Sequence, residues 1–136
     1  MVQAEVLSIS HIIKKIKNGE IFEAVPIDYS FHLKIRDYIP YICAAIHAGH
    51  NFRNNLKDKV IHSEYERWYE EDPHTDTFIS SMPLTIVGLD SRFEYDLNRS
   101  PEKCVYKDAW GKPVWKKPLP KSCLLYTSPS PRDLYQ

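Results

Sequence analysis

The sequence has almost no cysteine, no net charge and no long apolar run, and each shortage removes a class of protein. Cys43, Cys104 and Cys123 are an odd number spread over 136 residues. They make no disulfide framework, and a reducing cytoplasm is the expected compartment. Lysine plus arginine matches aspartate plus glutamate at 18 each, a formal net charge of zero. No global field therefore draws the chain to nucleic acid or to an anionic membrane. No apolar stretch approaches the roughly 20 residues of a membrane-spanning helix. The opening MVQAEVLSISHIIKKIK lacks the charged, apolar and small-residue order of a secretory signal. Internal repeats are missing too. What is present is an ordinary globular composition, 43% hydrophobic and 26% charged, in a chain long enough for one domain with its own core.

From Ser122 the character changes. SCLLYTSPSPRDLYQ has neither helical nor strand periodicity and crowds Ser and Pro between short apolar pieces. It reads as a disordered terminus, or as non-native sequence, because CLLYTSPSPRD resembles translated sequencing-adapter read-through. Residues 123–136 are accordingly set apart, and residues 1–122 are taken as the N-terminal part of a domain. On the second reading the natural chain continues past Ser122.

Within residues 1–122 the periodicity alternates between two and 3.6. Ile9, Ile12, Ile13 and Ile16 predict a short amphipathic helix stopped by Asn18-Gly19. IFEAVPID and FHLKIRDY predict strands, the second with Phe31, Leu33 and Ile35 facing away from His32, Lys34 and Arg36. YICAAI is a short continuous apolar run, the pattern of a strand buried on both faces. Phe52, Leu56 and Val60 form one stripe of a helix over GHNFRNNLKDKVIH, and Ser63 with Glu66 spells a capping box. Asp72-Pro73 reads as a cap and first helical position for a helix to about Met82. LTIVGL predicts a second buried strand, RFEYDLNR an alternating one, and AWGKPVWKKPLPK a loop. Strands alternating with helices indicate an α/β fold.

Two groups of polar residues have chemical potential. His47 and His50 follow the YICAAI strand, where open α/β folds place ligands, and Gly49 between them allows a sharp turn. Neutral imidazoles on such a turn can converge on one Zn²⁺ with room for a third ligand and a water. Spacing alone favours the plainer reading, a pair of loop histidines bonded to backbone. Asp72 is explained as a cap. Asp76 either orients an imidazole or favours a helix dipole. Glu70 and Glu71 read as solvated, His11, His32 and His62 as surface, and His74 as surface or, alternatively, a ligand. In SRFEYDLNR, a strand would put Arg92, Glu94, Asp96 and Asn98 on one side and Phe93, Tyr95 and Leu97 on the other. Arg92, Asn98 and Arg99 suit a substrate with a carboxylate and a polarised carbonyl, since guanidinium binds carboxylate in a fork and stabilises a developing oxyanion.

AAIHAGH, EEDPHTDTFISS and DSRFEYDLNRSPE, in this order and spacing, resemble the N-formylglutamate amidohydrolase family, within the zinc carboxypeptidase-like and aspartoacylase-like hydrolases. The likeness runs from about Phe22 to about Leu119 and takes in DAWGKPVWKKPL. It implies the N-terminal portion of a three-layer, zinc-carboxypeptidase-like mixed sheet flanked by helices, and a small-molecule substrate with a carboxylate. By this resemblance His47 is the first zinc ligand. His50 stands where the carboxypeptidase-like relatives have the glutamate of H-x-x-E; it, Asp72 or Asp76 would be the second ligand. Arg92 would polarise the scissile carbonyl, Asn98 and Arg99 would grip the carboxylate, and Asp96 would hold one of those side chains. A third zinc ligand and a general base, which the family draws from later sequence, are not found before Leu119, so the chain by itself is expected to be inactive. Two other readings stand beside this one. The first is a non-catalytic module of the same fold that recognises an acidic metabolite. The second is single-strand nucleic-acid binding through YKDAWGKPVWKKPLPK, where lysines interleave with Tyr106, Trp110 and Trp115; the zero net charge and the prolines favour a packed loop with a lysine rim instead.

Overall fold

Ser8 opens the first helix by accepting a hydrogen bond from the His11 backbone N–H at 3.2 Å. In a computed structural model that describes residues 3–120, this helix, α1, spans Ile9–Lys17 and follows a short strand, β1, Glu5–Leu7. Gly19 ends α1 with φ +67, and the N–H groups of Gly19 and Glu20 return to the carbonyls of Ile16 and Lys15 at 2.9 and 3.1 Å. That is a complete Schellman cap, which asks for glycine at this position.

The strands β2 (Phe22–Pro26), β3 (Phe31–Ile35), β4 (Cys43–Ala45) and β5 (Leu84–Gly88) join β1 in one mixed sheet of order β1-β2-β3-β5-β4. β3 runs antiparallel to both of its neighbours, β2 and β5, while β1 pairs with β2 and β4 with β5 in parallel. Alternation in β3 does what the pattern predicts: Leu33 and Ile35 are buried with Ile12, Phe22 and Ala24 in a core between the sheet and α1. The protein is thus a mixed α/β structure. None of its helices among the described residues is long and apolar enough to cross a membrane.

The apolar run YICAAI behaves differently from the expectation. Only Cys43–Ala45 forms β4, and as an edge strand it has one neighbour, so Ile42 and Ala44 stay exposed while Ala45 is buried. The stripe Phe52, Leu56, Val60 is buried as expected, yet only Asn54–Lys57 is helical (α2). Its flanks are drawn into backbone pairing instead, Asn51 with Asp90 and Val60 with Trp115. Ser63 and Glu66 form both halves of the capping box at 3.2 and 2.7 Å and start α3, Glu64–Glu70.

Two readings are corrected. Asp72 caps nothing through its side chain: α4 runs Thr75–Ile79, shorter than expected, behind His74 at φ +67. The Asp72 carboxylate is committed elsewhere. SRFEYDLNR is not a strand. The Ser91 hydroxyl accepts from the Phe93 N–H at 3.2 Å and the Asp96 carboxylate from the Asn98 N–H at 2.8 Å, two side-chain turns that compete with a ladder. Phe93 and Glu94, adjacent in sequence, are both buried, which period two forbids. In the proline-rich segment, β6 (Asp108–Ala109) and β7 (Lys112–Pro113) form a small hairpin. Its two-residue turn has positive φ at both Trp110 and Gly111, the signature of a type I′ turn. The stretch from Cys123 on lies outside the described residues.

Candidate functional site

Asp96 is completely buried and is the point where distant segments meet. Its Oδ1 lies 2.6 Å from His47 Nε2 and accepts from the Asn98 N–H. Its Oδ2 accepts from Arg92 Nη2 at 3.2 Å and from the Tyr106 hydroxyl. The same hydroxyl accepts from Arg92 Nε at 3.2 Å. Burial raises the pKa of this carboxyl, but the Asn98 and His47 hydrogen bonds and the charge of Arg92 outweigh it, and the net shift is downward. Asp96 is therefore a carboxylate, which only accepts, so the His47 nitrogen facing it is the donor.

His47 sits just past the end of β4, in the loop that leaves the sheet edge, and is itself buried. Two contacts fix that loop. The Asp72 N–H donates to the His47 carbonyl at 3.0 Å. Gly49 lies so close to Leu89 and Asp90 that a Cβ would stand 2.3 Å from the Leu89 carbonyl carbon. With Nε2 occupied, His47 turns Nδ1 outward to Asp72 Oδ2, 3.2 Å away, and Arg92 Nη1 lies 4.0 Å from that same oxygen. Arg92 also rests on the Trp110 ring, 5.4 Å from its centroid.

Outside this hub, Arg92, Arg99, Lys103 and Lys107 line a cleft of about 700 Å³ with Tyr106 and Trp110, against the two acids Glu102 and Asp108. Arg99 is exposed, with its Nε 3.9 Å from Asp96 Oδ2. Asn98 is exposed and reaches Asp96 only through its backbone N–H. The cleft is an anion-attracting surface backed by a fixed guanidinium.

Of the sequence-derived residues, His47, Asp72, Arg92, Asp96 and Arg99 are brought together, and Asn98 adjoins them. His50 is not. Its Nδ1 is 2.6 Å from Glu71 Oε1 and its Nε2 3.2 Å from Glu64 Oε1. Burial lowers its pKa, but the two carboxylates outweigh this and raise it, and both ring nitrogens are engaged by them. Asp76 is exposed on α4 and has no place in the hub. Glu71, read as solvated, is buried, and burial raises its pKa. His62, read as a surface residue, is buried as well. Asp96 holds Arg92 and lies 3.9 Å from the Arg99 Nε, and it engages His47 and Tyr106 as well. Tyr106 was not foreseen as a site residue: in KCVYKDAW it shows no periodicity, and only the fold brings its hydroxyl to Asp96. Tyr106 and Trp115 are buried in the second core, which takes two of the three aromatic rings of the lysine-rich segment out of reach of a nucleic-acid base.

Whether these residues fit a zinc ion can be asked of the donor set. His47 Nδ1 and the half-exposed Asp72 carboxylate face each other, and the buried Asp96 behind the imidazole is the arrangement that orients a ligating histidine. The two donors fit zinc. Among the described residues no group of three or more His, Cys, Asp or Glu stands together as a metal site, and these two donors alone do not complete a zinc coordination shell. No family model, curated protein or solved structure matches the chain.

Proposed function

We propose that this chain carries part of the active site of a zinc-dependent amidohydrolase that removes a formyl or other acyl group from an N-acyl amino acid such as N-formylglutamate, on the N-terminal part of a zinc-carboxypeptidase-like fold. The observation that carries the reading is the meeting at Asp96 of the three motifs that resemble that family. His47, Asp72 and Arg92 lie far apart in sequence and come from three different loops, yet all stand within hydrogen-bond or ion-pair reach of one buried carboxylate or its imidazole. His47 and Asp72 would hold zinc, which supplies a bound water of lowered pKa and polarises a carbonyl. Arg92, held by Asp96 and Tyr106, is placed to bind an amide oxygen as negative charge develops on it. Arg99, at the open side of the cleft, is placed to pair with the substrate carboxylate, and Asn98 beside it can add a hydrogen bond.

A second reading is favoured by one observation, the incomplete donor set. On it, the cleft binds an acidic metabolite without turning it over. Elemental analysis and calorimetric titration with N-formyl-L-glutamate separate the two. The amidohydrolase reading expects zinc to co-purify and to tighten ligand binding; ligand binding that ignores zinc favours the binding module; no ligand binding at all removes both. Arg99→Ala is expected to weaken N-formyl-L-glutamate binding by about 10–100-fold, the loss of one charge-assisted contact, and to leave the zinc content unchanged. Unaltered affinity in Arg99→Ala would take Arg99 out of the carboxylate site.

A further inference from the structure

A second cavity, of about 750 Å³, shares no lining residue with the cleft at Arg92. It lies between residues 51–53, α2 and the start of α3, and its lining includes His62, Ser63 and Arg67. Arg67 is only 5% exposed and His62 only 4%. The Arg67 guanidinium donates from Nη1 to the His62 carbonyl at 3.1 Å and stacks on the Phe52 ring, 4.4 Å from its centroid. Its Nε has no partner and it makes no ion pair among the described residues. Both ring nitrogens of His62 are likewise without a partner, and the ring lies 5.0 Å from that of Phe93. Burial lowers the pKa of both groups. The Glu71 and Glu64 carboxylates act on the Arg67 charge through space, without an ion pair among the described residues, and a buried guanidinium left short of direct partners is expensive.

The acids near Arg67 form no ion pair with it among the described residues, and Glu71 and Glu64 both accept from His50. Glu94 is taken by Arg53, through its backbone N–H at 3.1 Å and its Nε at 2.7 Å. Glu64 accepts from His50, and Asp28 accepts from the Ser30 N–H and hydroxyl. Asp90 is pushed up to about 7 by burial and by the nearby Glu94 and Asp28 carboxylates, so much of it is neutral near neutral pH. Lys116 donates to the Asp58 carbonyl at 2.7 Å, and neither it nor Lys57 forms an ion pair among the described residues. Three cations that make no ion pair among the described residues, Lys57, Arg67 and Lys116, thus share one cavity, beside Arg53, which pairs with Glu94.

We propose that this cavity binds a small oxyanion of the phosphate class, held by the Arg67 guanidinium with Lys57 and Lys116, and with Ser63 and His62 as further donors. A guanidinium fork and two point cations match a doubly charged tetrahedral oxyanion better than a single carboxylate. The site is independent of the amidohydrolase reading, since none of these residues touches His47, Asp96 or Arg92.

The test is thermal melting and calorimetric titration of the whole chain, with inorganic phosphate as the first probe, glycerol 3-phosphate as the second, and sodium chloride at matched ionic strength as control. Phosphate is expected to raise the melting temperature saturably where chloride does not, with the tighter of the two probes telling a free ion from a phosphate ester. Arg67→Met is expected to weaken phosphate at least tenfold, with its phosphate-free melting read beside it because the variant also gives up the hydrogen bond to the His62 carbonyl and the stack on Phe52. Lys57→Gln, on the surface, is expected to weaken phosphate several-fold with no change in phosphate-free melting, and serves if the Arg67 variant fails to fold. Equal effects of phosphate and chloride, or a full phosphate response in Arg67→Met or in Lys57→Gln, would overturn the proposal.

Discussion

Asp96→Ala is expected to lower the unfolding free energy by about 3–5 kcal/mol, the usual cost of removing one member of a buried charged network. The carboxylate accepts from His47, Arg92, Tyr106 and the Asn98 N–H. Without it a buried imidazole loses its hydrogen-bond acceptor and a largely buried guanidinium its nearest counter-charge. Urea denaturation at neutral pH measures the loss; a deficit below about 1 kcal/mol would mean that Asp96 is not the hub. The pH dependence has a definite sign. The folded pKa lies below the ordinary 3.8, so the carboxylate's contribution is full above that value and disappears as pH falls through the lower folded pKa. The gap between wild type and variant should therefore narrow only in acid, below the ordinary carboxylate range.

Gly49→Ala is expected to be comparably damaging, by about 3 kcal/mol or more, for a steric reason. The added methyl would stand 2.3 Å from the Leu89 carbonyl carbon, 2.5 Å from its oxygen and 2.7 Å from the Asp90 nitrogen. All three are backbone atoms, which cannot rotate away as a side chain can. The loop would have to retreat and give up the hydrogen bonds from Asn51 N–H to Leu89 and from Ser91 N–H to Asn51, now 3.0 and 2.8 Å. His47, two residues earlier, would lose its register with Asp96. Thermal melting of the variant checks this; a melting temperature within a degree or two of wild type would show that the two loops are not so tightly apposed.

The elements legible in the sequence are those whose partners are local. The α1 stripe, the Asn18-Gly19 stop, the alternation in β3 and the Ser63–Glu66 capping box are all decided within a few residues, and the structure forms each of them. Residues 91–99 misled because a run of turns can alternate apolar and polar side chains as a strand does. The hydroxyl of Ser91 and the carboxylate of Asp96 close those turns, and neither is weighed by periodicity. Asp72 misled for the opposite reason: its sequence context fits a cap, but an imidazole reaches it from a segment 25 residues away. At the candidate site, residue types were legible and pairings were not. His47 and Arg92 stood out as chemistry-bearing residues, while His50 was taken with His47 although Glu64 and Glu71 claim it.

The two hydrophobic cores have unequal standing. One ties α1 to the sheet through Ile12, Phe22, Ala24, Leu33 and Ile35. The other, Phe52, Leu56, Val60, Phe93, Tyr106, Val114 and Trp115, contains no residue of the five-stranded sheet and rests on turns and short helices. Phe93 and Tyr106, which flank Asp96 in sequence and in space, belong to that second core. Opening of a protein proceeds by contiguous cooperative units, and units poor in regular backbone pairing open first. The amides of Asp96 and Asn98 should then exchange with solvent as one group, in excursions during which β3 and β5 stay closed, so the candidate site can come apart and re-form on a sheet that never unfolds.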